Sequence, residues 1–139
     1  MIHSNVYDAT IVQLPINHKD KGNLTSVNNY KEIPFKIKRI YYLYDVPGGI
    51  SRGGHAHKEL QQFIVSASGS FDLVLDDTRI KRTITLNRPY FGVLLPPGLW
   101  RELNNFSSGA ICLVLASDIY KEEDYIREYF KFKQYKNGI

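Results

Sequence analysis

The side chains best suited to chemistry gather in one stretch. It is Gly49-Ile-Ser-Arg-Gly-Gly-His55-Ala56-His57-Lys-Glu-Leu-Gln61-Gln62, and it runs into the strand-like Phe63-Ile-Val65. On an extended backbone, side chains at i and i+2 point to the same face, about 6–7 Å apart. His55 and His57 are therefore expected to look into one cavity. Imidazoles so placed can hold a metal, act as an acid/base pair, or sit in a polar rim with no chemistry. The pair alone leaves all three open.

The elements that would position the pair read as short strands. After Pro34, the run Phe35 to Tyr44 is rich in aromatic and β-branched residues. Phe35, Ile37, Arg39, Tyr41 and Leu43 fall on one face of it, and an Arg and a Tyr beside three apolar residues suit a lined pocket. Beyond the histidines, strands are expected at Gln62–Ala67, Phe71–Leu75, Ile80–Leu86, Tyr90–Leu95, Leu99–Leu103 and Ala110–Ala116, with Gly, Asp and Pro turns between them. Strands punctuated this regularly indicate an antiparallel sandwich or barrel. Upstream, Ala9–Leu14 is a moderately apolar stretch, and Asn17–Asn29 is polar and loop-like, with a short edge strand at Leu24–Val27. The tail changes character. Asp118 is placed to cap a helix, Glu122, Glu123 and Asp124 to load its first turn, and Tyr125, Ile126, Tyr129 and Phe130 to form its apolar face. An amphipathic helix against the outside of the sheets is predicted.

Bulk properties exclude several classes. The length of 139 residues suits a single domain, 1–139, with a real core. No apolar run approaches a membrane span, and the start of the chain lacks a signal peptide's basic and apolar pattern. Cys112 is the only cysteine and lies in an apolar run, so no internal disulfide forms and a buried, inert thiol is expected. The cytoplasm is the expected compartment. Net charge is +4, with an excess towards the carboxyl end, yet there is no compact Lys/Arg run or nucleic-acid-binding signature. A small phosphorylated ligand fits this charge better than nucleic acid.

The spacing around the histidines resembles the cupin family. Its usual first motif is Gly, five residues, His-x-His, three or four residues, Glu, six residues, Gly. Gly49, His55-Ala-His57, Gln62 and Gly69 keep every interval, with Gln in place of Glu. The second motif centres on Pro-x-Gly, two residues, His, three residues, Asn. Pro96-Pro-Gly98, Arg101 and Asn105 keep that spacing, with Arg in place of His. The resemblance implies a double-stranded β-helix, or jelly roll, with these positions pointing inward. A guanidinium offers no lone pair and repels a divalent cation. No metal and no other cofactor are therefore expected. The pocket looks prepared for an anion, with imidazoles free for proton transfer.

Ile37-Lys-Arg-Ile-Tyr-Tyr, Arg52-Gly-Gly-His-Ala-His-Lys, Trp100-Arg-Glu, Leu115-Ala-Ser-Asp-Ile-Tyr and Asp124-Tyr-Ile-Arg-Glu-Tyr129 make a closer likeness. They resemble the sugar 3,4-ketoisomerases, WxcM-like cupins (FdtA and QdtA type) acting on dTDP-4-keto-6-deoxyglucose. The resemblance implies an isomerase that moves the ketone from C4 to C3 through an enediolate. It also implies a homodimer, in this family often with exchanged strands, and a product transaminated to 3-amino-3,6-dideoxyhexoses for surface glycans such as O-antigen or for antibiotics. On this reading His55 is the base, working near neutral pKa, while His57 and Tyr41 position the substrate and carry protons. Arg39, Arg52, Arg101 and Arg127 meet the diphosphate or sugar hydroxyls, Gln62 bonds the sugar, and Glu102 orients a histidine. Trp100 and the tyrosines stack on thymine or pack in the core. The Asn17–Gly22 loop and Arg101 bear on which face of C4 is protonated, and the polar-loop His18 is solvated. Two alternatives stand beside this reading: a 3,5-epimerase on the same substrate, and a sugar-binding cupin without catalysis.

Overall fold

Alternating burial along the chain draws much of it into antiparallel strands, and the computed structural model describes residues 3–138. In chain order the strands are β1 (Thr10–Gln13), β2 (Asn17–Lys19), β3 (Gly22–Leu24), β4 (Arg39–Leu43), β5 (Arg52–His57) and β6 (Gln62–Ser68). They continue as β7 (Phe71–Asp76), β8 (Lys81–Leu86), β9 (Phe91–Leu95), β10 (Trp100–Asn104), β11 (Ile111–Ala116) and β12 (Tyr125–Ile126). A single α-helix, α1 (Tyr129–Asn137), closes the described chain. One sheet has the order β1-β9-β6-β11-β4 and the other β12-β5-β10-β7-β8, while β2 and β3 form a separate hairpin. The all-β expectation holds, with the helix at the end.

Three apolar layers hold the sheets in place. Ile64, Leu73, Leu75, Leu86, Val93, Leu95, Leu103, Cys112 and Val114 fill the space between the two sheets. Burial there pushes the Cys112 thiol up to about 12, which makes it an inert core side chain. Leu14, Ile33 and Phe35 cover the outer face of the first sheet against Phe63, Val65 and Leu115. On the second sheet, Ala56, Trp100, Ile126 and Phe132 pack as an outer cluster that anchors α1. Trp100 lies against Tyr129 and Phe132, with ring centroids 5.3 and 5.8 Å away. That makes it part of the packing rather than a platform for thymine.

Three expectations change. Residues 35–38 lie outside β4, so Phe35 and Ile37 join the outer cluster, whereas Arg39, Tyr41 and Leu43 turn inward. The Asn29 side chain accepts the Ile37 N–H at 2.8 Å, which removes that group from any ladder. The supposed loop 17–29 contains the β2–β3 hairpin, and its strand ends at Leu24 rather than beginning there. The tail is the largest correction. Glu122–Asp124 is a 3-10 turn, and Tyr125 and Ile126 pair with His57 and Ala56 along the edge of β5. Unpaired N–H and C=O groups on that edge need partners, and this outweighs the helical spacing. The helix starts only at Tyr129 and buries Phe132 and Lys136, while Phe130 stays exposed. Asp118 caps no helix. It accepts the Ile119 N–H and pairs with Lys121, each at 2.8 Å.

Candidate active site

A cavity of about 350 Å³ opens between the sheets, within the size range of small-ligand pockets. From the first sheet, Arg39, Tyr41 and Leu43 of β4, Gln62 and Ile64 of β6, and Val114 of β11 face it. The register explains the grouping, since Tyr41 lies opposite Val114 and Val114 opposite Ile64. From the second sheet come Arg52 and His55 of β5, Arg101 and Leu103 of β10, then Tyr125 and Arg127.

A local irregularity brings Arg52 and His55 to the same side. Residues three apart on a regular strand face opposite ways. Here Arg101 pairs with His55 but Leu103 pairs with Arg52, so β5 carries one extra residue against β10. Gly53 adopts φ +77 at this bulge, a left-handed conformation that glycine takes without strain.

The two imidazoles differ more than their spacing suggests. His55 lines the cavity, whereas His57 lies deeper, fully buried, and borders a second cavity of about 210 Å³ with Glu59, Tyr120 and Asp124. Their rings meet edge to face at 4.9 Å, and Tyr125 lies 5.0 and 4.3 Å from them. The Asp124 carboxylate accepts from His57 Nδ1 at 2.9 Å and also from the Glu59 N–H at 2.8 Å. That geometry holds the His57 proton on Nδ1. Nε2 of each histidine is buried without a hydrogen-bond partner among the described residues.

Burial and then the Arg101 charge push His55 down to about 2, with smaller contributions from His57 and Arg127. His57 is lowered to about 3, first by burial and then by Arg101, Arg127 and Arg39. Both imidazoles are therefore neutral at pH 7 and present lone pairs. With protein groups alone, His55 does not reach the near-neutral pKa expected of the base. Two positive charges and a dry wall lie too close to it.

Arg101 is 2 % exposed, and among the described residues no carboxylate pairs with it. Its Nη1 donates to Gln62 Oε1, but Nε and Nη2 have no partner among the described residues. Burial pulls its pKa down to about 10, which still leaves it charged at pH 7. A buried guanidinium with free donors costs several kcal/mol unless an anionic or oxygen-rich group meets it. Gln62 in turn donates through Nε2 to Tyr41 Oη at 3.0 Å, and burial raises the Tyr41 pKa, so this phenol keeps its proton.

At the mouth, the Arg39 guanidinium lies over Tyr41 at 4.6 Å and Tyr120 at 5.2 Å. Arg127 lies over the Tyr125 ring at 4.1 Å and grips Glu122 through Nε at 2.6 Å and Nη2 at 2.7 Å. Arg52 is exposed on the rim. The structure thus brings His55, Tyr41, Gln62 and the four arginines together. It leaves Glu102 outside, because β10 alternates and Glu102 shares the outer face with Trp100, close to Gly54. Asp124 does what was expected of Glu102. The sequence reading missed Asp124 and Tyr125 as site residues by assigning them to a helix, although both stood in the block Asp124–Tyr129. His18 is exposed on β2, bonded to Asn23 at 2.6 Å and away from the cavity. Among the described residues, no three His, Cys, Asp or Glu side chains cluster to hold a metal ion.

Fold and site together define a cupin-type barrel whose cavity presents neutral imidazoles and buried positive charge to an anionic ligand. Comparison with known proteins places the chain more closely. The FdtA family (WxcM-like, C-terminal) matches residues 7–137, and the chain belongs to it. A TDP-4-oxo-6-deoxy-alpha-D-glucose-3,4-oxoisomerase of Aneurinibacillus thermoaerophilus is 47 % identical over 115 residues, 83 % of each chain. The crystal structure of a 3,4-ketoisomerase from Helicobacter canadensis superposes with a TM-score of 0.91 at 47 % identity, covering 94 % of this chain and 98 % of the other. A mutant of the 3,4-ketoisomerase QdtA from Thermoanaerobacterium thermosaccharolyticum, in complex with TDP-4-keto-6-deoxyglucose, gives 0.94 at 34 % identity, covering 96 % and 97 %.

Proposed function

We propose that the protein is a dTDP-4-keto-6-deoxy-D-glucose 3,4-ketoisomerase acting by proton transfer within the cavity. The observation that carries the mechanism is the meeting of a neutral imidazole, His55, a protonated phenol, Tyr41, and a buried guanidinium, Arg101, around one space. The C3 hydrogen of the substrate is α to the C4 ketone and acidic enough for a protein base. His55 removes it, and the negative charge spreads over C3, C4 and their oxygens as an enediolate. Arg101 Nε and Nη2 are free to meet those oxygens, where developing charge is stabilised most in a dry site. A proton returned to C4, with the hydroxyl proton moved between the oxygens, leaves the ketone at C3. Tyr41, and His57 held by Asp124, carry those protons and position the sugar.

The low His55 pKa is compatible with this role. A diphosphate brings two negative charges toward Arg39, Arg52 and Arg127, offsetting the field that depresses the imidazole. Its pKa then moves up toward the range where a general base works well at pH 7. The reaction needs no metal on this account, since Gln62 and Arg101 occupy positions where the cupin motifs carry ligands. We further propose a single domain over 1–139, whose residues 1, 2 and 139 lie outside those described. It would work in the cytoplasm as a homodimer with exchanged strands and supply a 3-keto sugar for 3-amino-3,6-dideoxyhexoses of surface glycans such as O-antigen. Supporting the dimer, Ile40 and Tyr42 of edge strand β4 and Tyr44 just beyond it are 58–62 % exposed. The test is to incubate chelator-treated protein with the 4-keto sugar nucleotide and follow the NMR spectrum. A 3-ketone is expected, and an unchanged 4-ketone overturns the proposal.

A further inference from the structure

Gln62 is 0 % exposed on the inner face of β6. Its opposite neighbour on β11 is Ala116, whose small side chain lets the Gln62 amide reach across to β4. Both ends of that amide are engaged, with Arg101 Nη1 on one side and Tyr41 Oη on the other. Arginine has only donors, so the amide atom facing Arg101 must be the oxygen. That leaves the NH2 for Tyr41. An amide NH2 accepts nothing, so the Tyr41 oxygen accepts from Gln62 and its own proton has to point elsewhere. The open direction is the cavity that Tyr41 lines with His55.

We propose that Gln62 is a positioning residue that sets the direction of the Tyr41 proton, aiming the phenol O–H at the ligand. The proposal rests on the ketoisomerase reading. As the enediolate forms, Tyr41 gives its proton to the C4 oxygen, and the phenolate left behind takes the proton of the C3 hydroxyl. Atoms and charge balance, and the phenol is restored. Meanwhile the Gln62 NH2 donates to the transient phenolate, and the nearby Arg101 charge favours it. A glutamate at this position, as in the usual first cupin motif, would reverse the arrangement. Its carboxylate would accept from both Arg101 and the Tyr41 hydroxyl, turning the phenol proton away from the cavity.

The test compares wild type, Gln62→Glu, Tyr41→Phe and the double variant in the ketoisomerase assay, with Tyr41 titrated by 13Cζ-tyrosine NMR. Gln62→Glu is expected to lower kcat by about 10²-fold or more, the scale of lost acid–base catalysis, with KM within about threefold. In the Tyr41→Phe background the same change is expected to add little, because Gln62 acts through Tyr41. The Tyr41 midpoint, read from the resonance lost in Tyr41→Phe, is expected to rise by about one pH unit or more in Gln62→Glu. Wild-type turnover in Gln62→Glu, an equal loss in both backgrounds, or an unmoved midpoint would overturn the proposal. If wild type forms no 3-ketone, the ketoisomerase reading fails, and the NMR midpoint alone still decides the part played by Gln62. Should Gln62→Glu not fold, Gln62→Met carries the same readout. Loss of the NH2 donor raises the midpoint, and an unchanged midpoint refutes the idea.

Discussion

Acid should weaken this fold earlier than carboxylate titration would. His55 is neutral when folded because burial and Arg101 hold its pKa near 2, against 6.5 for the free side chain. The unfolded chain takes up a proton at this residue below pH 6.5, and the folded protein does not. Stability from this source is therefore constant above about pH 7 and is lost as pH falls below 6.5, levelling only beneath the folded pKa. The slope is about 1.4 kcal/mol per pH unit, so His55 alone removes about 2 kcal/mol by pH 5. His57, lowered to about 3, acts in the same direction. Depressed carboxylates such as Asp77 and Glu122 start from ordinary values of 3.8 and 4.5 and do their part mostly below pH 5, which leaves this window to the histidines. With a urea slope of about 2 kcal/mol per molar, the His55 share is a fall of about 1 M in the unfolding midpoint between pH 7.5 and pH 5. The assay is urea unfolding at fixed protein concentration, in wild type and in His55→Asn, whose amide does not titrate in this range. The variant should lose about 1 M less than wild type across the same interval. An equal drop in both proteins would refute the burial argument for His55.

Other outcomes follow from the same geometry. Arg101→Met removes the positive charge nearest the cavity imidazole, so the His55 pKa should rise by about one unit or more in 15N-histidine NMR. In Asp124→Asn the amide oxygen stays on the Glu59 N–H and the NH2 turns to His57 Nδ1 as a donor, so the ring proton moves to Nε2; kcat should fall about 10²-fold with a changed tautomer signal in the same NMR experiment. Glu102→Gln lies on the outer face and should leave turnover within about twofold, as outward-facing substitutions usually do. Phe132→Ala removes the ring that docks α1 on the second sheet, which should cost about 3–5 kcal/mol in chemical denaturation.

Much of the site could be read from the chain because cupin spacing ties sequence position to strand face. His55, Gln62 and Arg101 face the same cavity, as the motif intervals implied, and Arg39 and Tyr41 line it from β4. What escaped depended on contacts between distant segments. Tyr125 and Ile126 fit a helical period, but the open edge of β5 draws them into a ladder, and only that pairing brings Asp124 to His57. Glu102 sits one residue from Arg101, yet strand alternation sends it to the far side, a consequence visible once β10 is known to be regular there. The unequal depth of the two histidines had no sequence signal. Period-2 alternation gives the face of a side chain and says nothing of how far the barrel closes over it.

On the proposed mechanism His55 removes the C3 proton and, after exchange with solvent, a proton is returned to C4 of the enediolate in a pocket of neutral imidazoles and buried positive charge. The most direct test of this mechanism is turnover of dTDP-4-keto-6-deoxyglucose in D2O by chelator-treated wild type and His55→Asn, followed by NMR. Wild type is predicted to yield a 3-ketone carrying deuterium at C4, and His55→Asn to slow this by about 10²–10⁴-fold. Deuterium at C5 with the ketone still at C4 would mean epimerisation, and normal turnover by His55→Asn would remove His55 from the chemistry. Either result would overturn the proposed mechanism.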